Sequence, residues 1–159
     1  MKVLFVCTGN VCRSPLAEGY FKALLNQKKV KGIEVASAGV AALVGAPPFE
    51  CAQEVAKVHE FDISEKTGIQ LTPELIRQYD QIYCMESWQA AAIMQMEPDH
   101  SSKVCLLGSC DSNGKNQKQI PDPRDFTFPE TLRTFEAIKD ALEALLKQVT
   151  RQNPQKVKS

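Results

Sequence analysis

The chain has 159 residues, of which 43% are hydrophobic and 24% are charged, a size and balance typical of one soluble globular domain. Its 19 basic residues equal its 19 acidic residues in number, so net charge gives no reason to expect binding to nucleic acid or to an acidic membrane surface. No apolar run approaches the length of a membrane span, and the apolar start MKVLFV is too short for a signal-peptide core, so we expect no membrane insertion.

The six cysteines lack the spacing, with each other or with histidine, that zinc sites use. We therefore expect no metal and no other cofactor. Unpaired cysteines in a chain without an export signal are typical of the reducing cytoplasm, where we expect the protein to act.

The predicted elements alternate between strands and helices along the chain. The first strand is the apolar run at residues 3–6, and a helix with one apolar face follows from Pro15. A second strand at 33–37 is closed by Ala38 and Gly39. The later predicted elements are a helix at 49–58, a short helix starting at 72–74, a strand at 81–85, a helix at 87–96, a strand at 104–107, a polar surface loop at 111–119 and a helix at 130–149.

This alternation predicts an α/β fold, a single domain with a four-stranded parallel sheet and helices on both faces, doubly wound in the manner of flavodoxin. We assign the domain to residues 1–150 and a polar C-terminal tail to 151–159. Such folds bind ligands beyond the carboxyl ends of the strands, near the switch in strand order. The segment after the first strand is therefore the expected site.

That segment, CTGNVCRS at residues 7–14, joins the first strand to the first helix. Gly9 and Asn10 tolerate backbone conformations that other residues avoid, so the loop can curl and point successive amides inward. Unpaired N–H groups at the start of the helix add to this anion site, and the Arg13 guanidinium is a planar fork suited to two phosphate oxygens. The segment predicts a cradle for a tetrahedral oxyanion.

Cys7 lies at the base of that cradle, where amide dipoles and the Arg13 guanidinium favour the thiolate over the thiol. A thiolate beneath a bound phosphate is a nucleophile aimed at phosphorus. Ser14 has two available roles, which are to cap the first helix and to donate a hydrogen bond to the Cys7 thiolate. Taken singly, these residues fit a strand end and a helix cap, but their combination at fixed offsets favours catalysis.

The pattern Cys-x5-Arg-Ser in CTGNVCRSPLAEG resembles the signature of the low-molecular-weight protein tyrosine phosphatase family. The similarity continues through residues 37–39, 62–64, 79–86 and 120–123. It is greatest to bacterial members that are paired with autophosphorylating tyrosine kinases of exopolysaccharide export.

The resemblance implies a protein tyrosine phosphatase that forms a cysteinyl-phosphate intermediate on Cys7, with Arg13 as its catalytic arginine. The implied substrate is a phosphotyrosine protein, namely a tyrosine autokinase, and the expected state is a monomer. Leu43 stands where family members place an aromatic against the substrate ring. The implied phosphate-binding residues are Thr8, Gly9, Asn10, Val11, Cys12 and Ser14.

Displacement of a tyrosyl oxygen from phosphorus also needs a proton donor. His59 and His100 lie in polar sequence far from any motif, and we expect both at the surface. The family's acid is an aspartate before proline on a late loop, a position that Asp122 fits, with Asp125 as the alternative. The chain then departs from the family, because Arg124 stands where many members have a substrate-stacking aromatic.

Three other functions could use the same cradle. Protein arginine phosphatases carry a threonine where this chain has Val11, and the apolar residue favours the tyrosine phosphatases. Thioredoxin-coupled arsenate reductases need two more closely spaced cysteines after the third strand, whereas Cys84 has no such partner before Cys105. A phosphate-binding module without catalysis is disfavoured, because the nucleophile, the arginine and the acid are all present.

Cys7 and Cys12 stand at the two ends of one short turn, so we expect both sulfurs to face the same small space. A reactive thiolate is readily oxidised to sulfenic acid, and a neighbouring thiol can then close a disulfide before irreversible oxidation. We therefore expect Cys12 to be a redox partner of Cys7, as the family resemblance also implies. The alternative is that Cys12 only packs behind the loop.

Overall fold

The centre of the molecule is a parallel sheet, seen in a computed structural model that describes residues 1–110, 118–152 and 154. Its strands are β1 (Lys2–Cys7), β2 (Glu34–Gly39), β3 (Gln81–Cys84) and β4 (Val104–Leu106). The strand order is β2-β1-β3-β4, and all three neighbouring pairs are parallel. The strand order therefore switches between β1 and β3, so the segments that follow these two strands meet at one edge of the sheet.

Helices cover both faces of this sheet. They are α1 (Arg13–Gln27), α2 (Glu50–Val58), α3 (Pro73–Gln78), α4 (Ser87–Met96) and α5 (Phe128–Gln152). Short 3-10 turns lie at Pro98–Lys103, Leu107–Cys110 and Arg124–Phe126. None of the helices in the described part of the chain is long and apolar enough to cross a membrane.

The side chains of β1 alternate between two cores, as expected of a strand that is buried on both faces. Val3 and Phe5 contribute to the larger core with α1, α2 and α5. Leu4 and Val6 contribute to the smaller core with α3 and α4. The predicted fold class, a doubly wound parallel sheet of four strands, is confirmed.

Some predicted boundaries differ from the observed ones. Gly39, predicted to close the second strand, belongs to β2, because it pairs with Cys7 of β1 and the Val40 N–H that follows it donates to the Cys7 carbonyl at 3.0 Å. The predicted surface loop at 111–119 lies almost entirely outside the described residues. His59 and His100 are both partly exposed, and the ring of His59 also packs edge-on against Phe135 with centroids 4.6 Å apart.

Candidate active site

The loop between β1 and α1 curls around a left-handed residue. That residue is Asn10, with a φ of 56°, whereas Gly9 has no positive φ. Of the two residues expected to supply the turn, Asn10 therefore does so. An L-residue in this conformation is strained by about 1–2 kcal/mol unless local hydrogen bonds compensate, and asparagine tolerates it best.

The side chain of Asn10 supplies those hydrogen bonds. Its Nδ2 donates to Ser14 Oγ at 2.8 Å and to Ser37 Oγ at 3.0 Å, and its Oδ1 accepts from the Ile69 N–H at 2.9 Å. The side chain is buried, so these bonds are shielded from competing water. One asparagine thus ties the loop to α1, to β2 and to the segment before α3.

Gly39, at the end of β2, lies directly under the same loop. A methyl group at this position would lie 2.6 Å from the Thr8 carbonyl oxygen and 2.9 Å from the Asn10 backbone nitrogen. Real side chains do not approach backbone this closely, so the curled loop requires glycine here. The sequence showed Gly39 only as a strand end, and its role depends on the pairing of β1 with β2.

The Cys7 sulfur is buried at the end of β1, 2.9 Å from Ser14 Oγ. Ser14 Oγ accepts a hydrogen bond from Asn10, so the Ser14 hydroxyl proton is available for donation. The Cys7 sulfur is a nearer acceptor for this proton than the Ala38 carbonyl, which lies at 3.4 Å. Of the two roles considered for Ser14, the prediction that it caps the first helix is wrong. The helix is capped at Cys12 without a side-chain bond, and Ser14 lies inside α1.

Arg13 is fully buried, and its guanidinium is held by groups from three other segments. Nη1 donates to Glu86 Oε2 and to the Ile120 carbonyl, each at 2.7 Å, and Nη2 donates to Thr8 Oγ1 at 3.3 Å. Nε lies 2.9 Å from Asp122 Oδ1, an ion pair that lacks the alignment of a hydrogen bond. The fork is fixed in orientation before any substrate arrives.

Glu86 and Gln89 belong to this site although the sequence did not single them out. Glu86 follows β3 and caps α4, with Gln89 completing a reciprocal capping box. Gln89 Nε2 also donates to Thr8 Oγ1 at 3.1 Å. The position of Glu86, beyond the carboxyl end of the strand next to β1, is the signal that could have identified it.

Asp122 approaches Arg13 from the segment before α5, and its side chain remains 47% exposed. Partial burial raises the pKa of this carboxyl above its ordinary value. The Arg13 charge lowers that pKa and the Glu86 charge raises it. The combined effect of burial and both charges is a raised pKa. A carboxyl that keeps its proton to higher pH is suited to act as a general acid. The alternative acid, Asp125, is exposed in a left-handed turn.

The remaining predicted residues line the loop in different ways. Val11 is buried, and its carbonyl accepts from the Phe49 N–H at 2.8 Å. Leu43 is half-exposed, and its N–H donates to the Gly9 carbonyl at 3.0 Å, which places it at the rim. Cys12 is buried behind the loop.

Cys51, in the first turn of α2, was not singled out from the sequence. Its interaction with Cys12, together with burial, raises the pKa of Cys12 well above its ordinary value. The same interaction lowers the pKa of Cys51, with help from the Thr131 hydroxyl and the backbone of Ala52, against the effect of burial.

The arrangement combines a buried thiol, a curled amide loop at a helix N-terminus, a fixed guanidinium and a carboxyl with a raised pKa. Among the described residues, no group of histidine, cysteine and carboxylate side chains could hold a metal ion. Fold and site together define a cysteine-dependent phosphatase.

Comparison with known proteins identifies the family. The model of the family "low molecular weight phosphotyrosine protein phosphatase" matches residues 2–156. The chain is 37% identical over 147 residues to the low molecular weight protein-tyrosine-phosphatase Wzb of Salmonella typhi. The matched region covers 92% of this chain and 90% of that protein. The chain therefore belongs to the low molecular weight phosphotyrosine protein phosphatase family, and its activity is that of a protein tyrosine phosphatase.

Solved structures agree with the fold and the family. Vibrio vulnificus Wzb in complex with benzylphosphonate superposes with a TM-score of 0.82 and 36% identity, covering 92% of this chain and 97% of that chain. The YwlE arginine phosphatase from Geobacillus stearothermophilus superposes with a TM-score of 0.85 at 27% identity, covering 99% and 98%. Backbone shape is shared with both specificities, so it does not distinguish them.

Proposed function

We propose that Cys7 is the nucleophile of a two-step hydrolysis of phosphotyrosine. In the first step the Cys7 thiolate attacks phosphorus, the S–P bond forms, and the P–O bond to tyrosine breaks. The proton of Asp122 moves to the leaving tyrosyl oxygen. In the second step the Asp122 carboxylate takes a proton from water, whose oxygen attacks phosphorus, and the S–P bond breaks to give phosphate and the Cys7 thiolate.

The loop binds the phosphoryl group during both steps. The inward amides of the loop and the start of α1 bind its oxygens, and Arg13 clamps two of them as charge develops. The Ser14 hydroxyl donates to the Cys7 sulfur and stabilises the thiolate as leaving group. The loop residues in this role are Thr8, Gly9, Asn10, Val11, Cys12 and Ser14.

One observation carries this proposal. Ser14 meets Cys7 across the loop, and Arg13 meets Asp122 from the segment before α5, so nucleophile, clamp and acid come together from two segments that are far apart in the chain. A chain that only bound phosphate would need the amides and Arg13 but not a carboxyl with a raised pKa beside them.

We further propose that the substrate is an autophosphorylated bacterial tyrosine kinase of exopolysaccharide export and that the chain acts as a cytoplasmic monomer. Similarity to Wzb supports the substrate, and the free cysteines of the described chain fit a reducing compartment. Leu43 at the rim provides an apolar contact for the tyrosyl ring. Purified kinase in its phosphorylated form should lose phosphotyrosine when the phosphatase is added.

Arginine phosphatase activity is the second candidate, because the YwlE fold superposes well. Val11, buried in the loop, favours tyrosine on the family pattern, in which arginine phosphatases carry threonine. Arsenate reduction has less support, because no second cysteine follows Cys84 before Cys105. Turnover of phosphotyrosine peptide, phosphoarginine and arsenate should be measured side by side, with Cys7→Ser as control. Preference for phosphoarginine, or arsenate turnover, would overturn the tyrosine assignment.

We also propose that Cys12 protects Cys7 from irreversible oxidation. Cys7 and Cys12 are both buried in the same core cluster, which supports a close approach of the two thiols. After peroxide converts the Cys7 thiolate to sulfenic acid, the Cys12 sulfur attacks it, a disulfide forms and water leaves. A dithiol reductant should then restore activity in the native chain but not in Cys12→Ser.

A further inference from the structure

A buried carboxylate lies at the start of a series of hydrogen bonds that ends at Cys7. Glu18 Oε2, on α1, accepts from Ser37 Oγ at 2.6 Å. Ser37 Oγ accepts from Asn10 Nδ2 at 3.0 Å, and the same Nδ2 donates to Ser14 Oγ at 2.8 Å. Ser14 Oγ lies 2.9 Å from the Cys7 sulfur. Each of these five residues, here called the Glu18 network, is at most 2% exposed, so water does not compete for its partners.

Two lysines balance the charge of Glu18 inside the fold. Lys22 Nζ, one turn further along α1, binds Oε1 at 2.6 Å, and Lys66 Nζ binds Oε2, the oxygen that belongs to the network. Lys66 comes from a segment that packs closely on α1 at Gly19, where a methyl group would lie only 2.6 Å from Ile63 Cγ2. A buried carboxylate is costly unless it is paired and hydrogen-bonded, and here it is both.

The Glu18 carboxylate determines the direction in which the bonds of the network run. A carboxylate held by lysines can only accept, so the Ser37 hydroxyl donates to it and the Ser37 oxygen is left to accept from Asn10. The Ile69 N–H, which can only donate, faces Asn10 Oδ1 at 2.9 Å and requires the same orientation of the amide. The amide nitrogen therefore faces Ser14, whose own proton is left for the nucleophile.

The reverse direction would deprive the nucleophile of this proton. If the Asn10 amide turned over, Oδ1 would face both serines, and the Ser37 and Ser14 hydroxyls would donate to it. Hydroxyl protons rotate to suit their partners, so neither serine alone prevents this exchange. The choice between the two directions depends on the groups at the ends of the network, which are the Glu18 carboxylate and the Ile69 N–H.

We propose that Glu18 is a positioning residue that keeps the Ser14 hydroxyl directed at the Cys7 sulfur. It acts through Ser37 and Asn10 rather than by contact with the reacting atoms. The inference rests on the proposed role of Cys7 as nucleophile. With the network in this direction, the Ser14 hydroxyl stabilises the thiolate before it attacks phosphorus and again when it leaves the cysteinyl phosphate.

Replacement of Glu18 by glutamine tests the direction with little change in shape, because an amide can donate as well as accept. We expect kcat for nitrophenyl phosphate to fall about tenfold, since a hydrogen bond to a charged group is weakened. Alkylation of Cys7 by iodoacetamide at fixed pH, located by peptide mass mapping, should slow to a similar extent. A loosened loop would instead expose the thiol and speed its alkylation, so faster alkylation in Glu18→Gln would overturn the proposal.

Glu143→Gln is the matched control for this change. Glu143 Oε1 also accepts from a hydroxyl, that of Tyr20 at 3.0 Å, but it lies on α5 outside the network. The same chemical substitution there should leave both kcat and the alkylation rate of Cys7 within twofold of the native values. A loss as large as that in Glu18→Gln would show a general effect of carboxylate removal and overturn the assigned role.

Ser37→Ala tests the path of the effect, because it interrupts the network and leaves Glu18 with its lysines. Alkylation of Cys7 should slow about as much as in Glu18→Gln, and the double variant should be slower than Ser37→Ala by less than twofold. Independent, multiplying effects would show that Glu18 acts by another route. If Glu18→Gln does not fold, Ser37→Ala alone decides, and a native alkylation rate in it would overturn the proposal.

Ser14→Ala separates this inference from the proposed function. Slower alkylation of Cys7 in Ser14→Ala, with native values in Glu18→Gln, would overturn the role of Glu18 and leave the catalytic mechanism intact. Native alkylation in both variants would overturn the donor role of Ser14 and the positioning role of Glu18 together. Full turnover by Cys7→Ser would overturn the proposed function itself and this inference with it.

Discussion

Arg13 donates to Glu86 at 2.7 Å, across the gap between the segment after β1 and the segment after β3. The two segments meet because β1 and β3 are neighbours at the switch in strand order. A charge-assisted bond from a fully buried guanidinium fixes the plane of its fork. We therefore propose Glu86 as a positioning residue for Arg13, the proposed catalytic arginine.

Replacement of Glu86 by glutamine should lower kcat about tenfold or more, since a hydrogen bond to a charged group is worth about 1.5–3 kcal/mol. It should also lower the pKa of Asp122, because the Glu86 charge helps to raise it. The alkaline limb of the pH profile for the first step should move to lower pH. Steady-state kinetics across pH would measure this shift. Glu74→Gln, which removes a carboxylate from an exposed ion pair with Arg77, is the control. An alkaline limb at the same pH in Glu86→Gln as in the native chain would show that Glu86 does not raise the pKa of Asp122.

Replacement of Arg13 by lysine should preserve charge but lose the fork that binds Glu86, Ile120 and Thr8 together. We expect kcat to fall by roughly two orders of magnitude, as when an oxyanion donor is removed. KM for a small aryl phosphate should change less than kcat, because the clamp tightens in the transition state. A rate near that of the native chain would show that guanidinium geometry is not required.

Two substitutions at Asn10 separate backbone strain from hydrogen bonding. Asn10→Gly removes the side-chain bonds but accepts a φ of 56°, whereas Asn10→Ala removes the bonds and adds about 1–2 kcal/mol of strain. Both variants should bind phosphate more weakly, and the alanine variant should also be less stable to urea. Calorimetric phosphate titration and urea unfolding provide the two readouts. Equal stability of the two variants would contradict the assigned strain.

Replacement of Asp122 by asparagine should slow the hydrolysis of phenyl phosphate far more than that of an activated nitrophenyl ester, because only the poor leaving group of phenyl phosphate needs the proton. In the native chain the first step with phenyl phosphate should slow as pH rises through the raised pKa of Asp122, since the acid form is lost. That limb should disappear in Asp122→Asn. Equal losses for both esters would assign Asp122 to positioning instead.

The sequence predicted the parts of the site that lie within one continuous segment. Cys7, Arg13 and the loop between them are adjacent in the chain, so their spacing and residue types sufficed. Asp122 came from the family resemblance, because a distant loop residue has no local signal. Its approach to Arg13 depends on how the segment before α5 packs.

The missed contacts all join segments that are far apart in sequence. Glu86 and Gln89 reach the loop and Arg13 only because β3 pairs with β1. Gly39 looked like a strand end because its close approach to Thr8 is a tertiary contact. Strand order is not encoded in local periodicity, so these contacts required the structure.

Covalent catalysis by Cys7 can be tested by trapping the phosphoryl group. Asp122→Ala should be phosphorylated readily by nitrophenyl phosphate, whose leaving group needs no acid, but it lacks the base for the second step. Rapid denaturation during turnover, followed by peptide mass mapping, should place one phosphoryl group on Cys7, with none in the matched protein that also carries Cys7→Ser. A phosphoryl group on any other residue, or full turnover by Cys7→Ser, would contradict this mechanism.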